Sequence, residues 1–148
     1  MPVLNIAMIG TDDLAREIAK ATDQRDVHTY VHKEPGQESP RILSIIRPAK
    51  YPERLRPFLN ALSAARVGLL EIAGIDATLG ESLVAFASAN ITKGIAVINA
   101  PQGEWIDEDK VKMLFKQAGL GEWTFGSMDG IQLRNTLYQH MDDLSDVL

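Results

Sequence analysis

The run VLNIAMIGTDDLAREIAKA, residues 3–21, passes from a continuous apolar segment through Gly10 into a helical pattern. Val3, Leu4, Ile6, Ala7, Met8 and Ile9 are interrupted only by Asn5, the pattern of a central parallel strand covered on both faces. Leu14, Ala15, Ile18 and Ala19 then recur at helical spacing. A buried strand feeding a helix in this way is the opening unit of an open α/β sheet, whose ligands sit at the carboxyl ends of the strands.

The remaining chain repeats the theme. VHTYVHK, residues 27–33, alternates as a half-exposed strand; EPGQESP, residues 34–40, is rich in turn formers; RILSIIR, residues 41–47, follows as a more apolar strand, so the pair reads as a hairpin. From Pro52 to Ala65, Leu55, Phe58, Leu59, Leu62 and Ala65 mark a helix, irregular near Pro57 because proline loses a hydrogen bond there. VGLLEIAG, residues 67–74, is the next strand. Thr78 and Glu81 form a capping box for a helix over Leu79–Ala89, ending near Asn90. GIAVIN, residues 94–99, is a short apolar strand. Asp107 caps a helix over Glu108–Ala118, with Ile106 and Val111 as a staple and Gly119 as its stop. Trp123–Phe125 is a brief last strand, and Ile131–Met141 a last helix capped by Asp129. The domain is expected to span residues 1–141, followed by an acidic, frayed tail over 142–148. This order predicts a mainly parallel six-stranded sheet with helices on both faces and the Val27 strand antiparallel at one edge.

With 148 residues and 45% hydrophobic composition, the chain suits one globular domain. The absence of cysteine excludes disulfides, thiol catalysis and thiolate metal sites, and fits a reducing compartment. No apolar run reaches membrane-spanning length and no signal peptide is visible, so the expectation is a soluble cytoplasmic protein with no membrane partner. A net charge of −5 argues against a dominant nucleic-acid surface. The charge is uneven: RPAKYPERLRP, residues 47–57, holds four basic groups (Arg47, Lys50, Arg54 and Arg56) against one acid.

The first strand-to-helix turn lacks phosphate-binding chemistry. If Gly10 is the first glycine of G-x-x-x-x-G-K-[ST], Ala15 stands at the second glycine, Arg16 at the lysine and Glu17 at the metal-linked hydroxyl. Asp12 and Asp13 suit the helix dipole but repel phosphate. G-x-G-x-x-G fails too, needing glycines at Asp12 and Ala15. A receiver domain would need its phosphoacceptor Asp where Arg47 stands and a Lys after the strand closing at Asn99. His28 and His32, four residues apart on one strand, lie about 13 Å apart at about 3.3 Å per residue, too far to share a metal.

The element order, with a hairpin after the first helix, resembles the GTP-binding domain of translational GTPases. The span Ile42–Asn99 is similar to the elongation factor Tu and SelB segment running from D-x-P-G-H to N-K-x-D, and in particular to SelB-like elongation factor paralogues of methanogenic archaea. Shared features are Y-P-x-x-L at Tyr51, Pro52 and Leu55, the following short strand, and D-A-x-x-G-E at Asp76, Ala77, Gly80 and Glu81. The resemblance implies a P-loop-GTPase-like three-layer fold.

Carried over by position, the site residues implied by that family have mostly changed type. Arg47 stands at the magnesium-linked Asp, Lys50 at the γ-phosphate glycine and Tyr51 at the water-positioning His. Asn99 matches the first residue of N-K-x-D, but Ala100 and Gln102 replace its Lys and Asp. Gln102 offers one acceptor where a carboxylate takes two guanine N–H groups. Ser127 falls near the motif whose backbone meets the guanine oxygen, and only Thr29 is available as a metal-binding Thr between the first helix and the Arg41 strand. Hydrolysis needs metal, positioned water and a phosphate cradle together. The implied molecule is a non-hydrolysing, GTPase-like binding or scaffold module without a cofactor. The alternative is weak binding of GTP or GDP through Arg16, Arg47 and Lys50. Implied partners are ribosome or tRNA, contacted through Arg47, Lys50, Arg54 and Arg56, or another protein, including a second copy. The β-barrel domains of full elongation factors would lie outside this chain.

Overall fold

A computed structural model describes residues 2–25, 27–36, 38–48 and 64–147. The expected Pro52–Ala65 helix, up to position 63, lies outside the described residues, as do Lys50, Tyr51, Arg54 and Arg56.

Alternating apolar side chains assemble two cores on either side of one sheet. β1 (Val3–Ile9) sends Leu4, Ile6 and Met8 to one face and Ala7 and Ile9 to the other. Those two faces need two helical layers. α1 (Asp12–Ile18) buries Leu14, Ala15 and Ile18 on the first face. It stops earlier than its apolar spacing suggests, because Lys20–Gln24 forms a strand, β2. β3 (Val27–Lys33) and β4 (Ile42–Pro48) make the expected hairpin. β5 (Val67–Ile72), α2 (Ala77–Ser88), β6 (Gly94–Ile98), α3 (Glu108–Gln117), β7 (Thr124–Gly126) and α4 (Gly130–Val147) complete the chain.

The architecture is α/β, with the mainly parallel sheet expected, and its seven strands run in the order β2-β3-β4-β1-β5-β6-β7. β4, β1, β5, β6 and β7 are mutually parallel. The expected six strands become seven, and the Val27 strand, though antiparallel to β4, is not the edge: β2 pairs antiparallel outside it. Ala19 and Ala21 extend the apparent helical spacing, but Ala21 instead pairs with Tyr30 across the β2–β3 ladder.

Residues of α1 and α4 cover the first face, with Leu133, Leu137, Tyr138 and Met141 joining Ile6, Met8 and Leu14. Residues of α2 and α3 cover the second, where Leu83, Phe86, Val111 and Phe115 meet Ala7, Leu70 and Trp123. Trp123 decides the small residues beneath it. A Cβ on Gly94 would lie 2.8 Å from Trp123 Cε2 and 2.6 Å from the Gly68 carbonyl oxygen. The indole N–H donates to Ile91 O at 3.1 Å, so this large ring is buried without an orphan donor.

Two caps match the sequence reading. The Asp107 carboxylate accepts from Asp109 N and Lys110 N, and Gly119 takes φ +82° after α3. α2 differs: its cap is Asp76, whose carboxylate accepts from Leu79 N, so the helix starts before the expected Thr78 box. The tail differs as well. α4 continues to Val147; Asp142 pairs with Arg41 and Leu144 packs on the core, so the acidic segment belongs to the last helix.

Candidate functional site

β4 and β5 lie on opposite sides of β1, so the chain reverses its direction across the sheet at β1. In open α/β sheets such a switch point leaves a crevice at the carboxyl ends of the strands. A cavity of about 600 Å³ lies there, lined by Gly10 and Thr11 after β1, Arg47 at the end of β4, Glu71 on β5, and Asn99 and Gln102 after β6. Its volume falls in the range of small-molecule pockets. The positions that sequence reasoning placed at Gly10, Arg47, Asn99 and Gln102 are therefore brought together by the topology.

The crevice is furnished by its own side chains. Glu71 Oε1 accepts from the Thr11 backbone N–H at 2.8 Å and from its hydroxyl at 2.7 Å. Glu71 Oε2 accepts from Asn99 Nδ2 at 2.8 Å. The carboxylate thus sits against the first turn of α1 and clamps the β1 loop to the β6 loop. A negative group at the start of a helix is favourable for the same reason a phosphate is. Thr11 also caps α1 by accepting from Leu14 N at 3.2 Å. Gly10 is small because of Glu71: a Cβ there would lie 2.8 Å from Glu71 Cβ.

Arg47 closes the other wall. Its guanidinium donates to Tyr30 OH at 3.0 Å and to Gly10 O at 3.1 Å, and lies 2.8 Å from His28 Nδ1. The side chain is only 12% exposed. Facing a guanidinium that can only donate, His28 Nδ1 must act as the acceptor. Burial, followed by the charge of Arg47, lowers the His28 pKa below its ordinary value. Tyr30 donates onward to Asp12 Oδ1 at 2.6 Å, and Arg16 Nε donates to Asp12 Oδ2 at 2.6 Å. Those two hydrogen bonds, Tyr30 first, hold the Asp12 carboxyl below the usual range, while burial followed by the Asp12 contact raises the Tyr30 phenol.

Other expected positions fall elsewhere. Arg16 is on α1, turned to Asp12, and lines a different groove. Glu17 is exposed on α1, with its carbonyl accepting from Arg134. Ser127 lies between β7 and α4 and donates to Gln132 at 3.1 Å. Thr29 is on β3, where its carbonyl accepts from Thr22. The principal side chain that sequence reasoning missed is Glu71. Its signal was one charge in the otherwise apolar VGLLEI of a fully covered strand.

Among the described residues, no group of three or more His, Asp or Glu is placed to hold a metal ion, and no helix is long and apolar enough to cross a membrane. No family model matches the chain. The chain is similar to an uncharacterized protein of Methanocaldococcus jannaschii, with 24% identity over 138 residues. That match covers 93% of this chain but spans 42% of the relative's length.

Proposed function

We propose that this chain is a GTPase-like domain of the elongation factor Tu and SelB type in which the polar groups lining the nucleotide crevice are engaged by the protein's own side chains, and that it works as a non-hydrolysing binding or scaffold module. The observation that carries this reading is the Glu71 carboxylate, which takes the Thr11 N–H and hydroxyl at the first turn of α1. An incoming phosphate would have to displace one anion there and approach Asp12 and Asp13. Arg47, the cation that lines the crevice among the described residues, already directs three of its five N–H donors to Tyr30, Gly10 and His28. The partner on this reading is ribosome, tRNA or another protein.

The alternative, nucleotide binding through Arg16, Arg47 and Lys50, is disfavoured because Arg16 is paired with Asp12 and Arg47 is engaged within the fold. Thermal unfolding with GTP, GDP and ATP plus magnesium separates the two. A ligand at about 100 times its dissociation constant adds about 2.7 kcal/mol, several degrees for a domain of this size. No shift is expected with any of the three. A guanine-specific, magnesium-dependent shift would overturn the proposal.

A further inference from the structure

A second groove, of about 580 Å³, lies at the sheet edge, where α1 gives way to β2 and α4 crosses behind it; Arg16, Ile18, Lys20, Val31, Lys33 and Arg134 are among its lining residues. Its chemistry is unlike that of the crevice. Four cations and His32 line it, and no Asp or Glu does among the described residues, in a chain of net charge −5.

Two of these cations are committed within the fold. Arg16 pairs with Asp12. Arg134 donates to Ile18 O at 3.0 Å and Glu17 O at 3.3 Å, occupying the carbonyls at the end of α1 that would otherwise repel an anion. Its own charge meets no carboxylate in these bonds. Lys20 and Lys33 are exposed and make no ion pair among the described residues.

The ladder fixes their spacing. Lys20 stands opposite Val31, and Lys33 is two residues beyond Val31 on the same strand. Both lysines therefore project to one face as diagonal neighbours, about 7–8 Å apart along the backbone. Two flexible ammonium groups at that separation can converge on one phosphate. Val31, half-buried, projects on the same face as the two lysines and offers apolar surface beside them, whereas Ala21, opposite Tyr30, turns to the core.

From the unpaired lysines, the carboxylate-free lining and the adjoining apolar surface, we infer that this groove binds a small organic phosphate. Lys20 and Lys33 hold the phosphate, Arg134 contributes positive potential, and the organic part lies along Val31. This site is separate from the crevice, and its occupancy does not depend on the reading of Glu71.

The test is titration of the ¹⁵N-labelled chain with phenyl phosphate and, in parallel at matched ionic strength, with inorganic phosphate. Saturable shifts are expected at the amides of Lys20, Ala21, Val31 and Lys33, with phenyl phosphate binding several-fold tighter than phosphate. Lys20→Gln with Lys33→Gln, both at exposed positions, should weaken phenyl phosphate about tenfold or more while amide dispersion is kept. Should that pair fail to fold, Lys33→Gln alone should weaken it several-fold. Absence of saturation at about 10 mM, equal affinity for the two probes, shifts centred on the Glu71 crevice, or undiminished binding in the folded lysine variant would each overturn the inference.

Discussion

Glu71→Ala tests whether one carboxylate organises the crest of the sheet. The substitution removes the acceptor for the Thr11 N–H, the Thr11 hydroxyl and Asn99 Nδ2, three bonds of 2.7–2.8 Å. A hydrogen bond to a charged group is worth about 1.5–3 kcal/mol when its loss strands a buried partner. Thr11 and Asn99 are exposed, so water replaces much of what is lost. The net cost is about 1–2 kcal/mol. For 148 residues the unfolding entropy is about 0.3 kcal/mol/K, which makes the drop in Tm about 3–6 °C. Glu71→Gln should cost less than half as much, because its oxygen still serves Thr11 and the Asn99 amide can turn over to accept from the new NH₂. Circular dichroism melting reads the first quantity. Hydrogen exchange at the Thr11 amide, expected to quicken about tenfold in the alanine variant, reads the second. Unchanged melting and exchange in Glu71→Ala, or equal damage from Ala and Gln, would refute the argument that the carboxylate acts through these bonds.

Arg47→Met should cost about 2–4 kcal/mol in urea unfolding, because the 12%-exposed guanidinium serves Tyr30, Gly10 and His28 at once; Arg47→Lys should recover little, since one ammonium cannot span that fork. Gly68→Ala would place a Cβ 2.6 Å from Trp123 Cζ2 and 2.9 Å from Phe86 Cε1, destabilising by about 1–3 kcal/mol, and a simultaneous Trp123→Leu should be clearly less than additive in the same assay. Burial, followed by Arg47 for His28 and by Arg134 for His32, depresses both imidazoles below 6.5, so the unfolded chain binds more protons than the folded one as pH falls. Stability should therefore be complete above about pH 6.5 and decline through the depressed folded values; His28→Gln should flatten the dependence of Tm on pH, and an unaltered slope would count against it.

The fold was legible where burial dictates a repeat. β1 and the β6 strand are covered on both faces, and an uninterrupted apolar run is the mark of that environment. β2 was not legible, because KATDQ is a short edge strand with no such run and its neighbours Ala19 and Ala21 also suit a helix. At the crest, Arg47, Asn99 and Gln102, singled out through the family resemblance, and Gly10 of the first turn do line one cavity, since parallel strands present their carboxyl ends to the same side. What occupies that side depends on side chains reaching across strands. Glu71 meets residues 60 and 28 positions away, distances at which no local pattern operates. The cap at Asp76 in place of Thr78 has a simpler cause: both residue types suit a cap, and the turn after β5 allowed the helix to begin earlier.

A crevice built for an essential charged ligand leaves donors and charges waiting for it, and the empty form then carries their desolvation cost. The arrangement here differs in a way that bears on function. Among the described residues every buried side-chain nitrogen and oxygen has a partner, and the crest groups pair across five strands: Thr11 and Asn99 with Glu71, Arg47 with Tyr30, Gly10 and His28. Such a crest has its polar groups satisfied from within, so a ligand must displace those bonds rather than complete them. A two-state switch needs a ligand that binds one state far better than the other. On the proposed reading the internal carboxylate holds the loops in a single state permanently, which suits a surface that partners must find already formed.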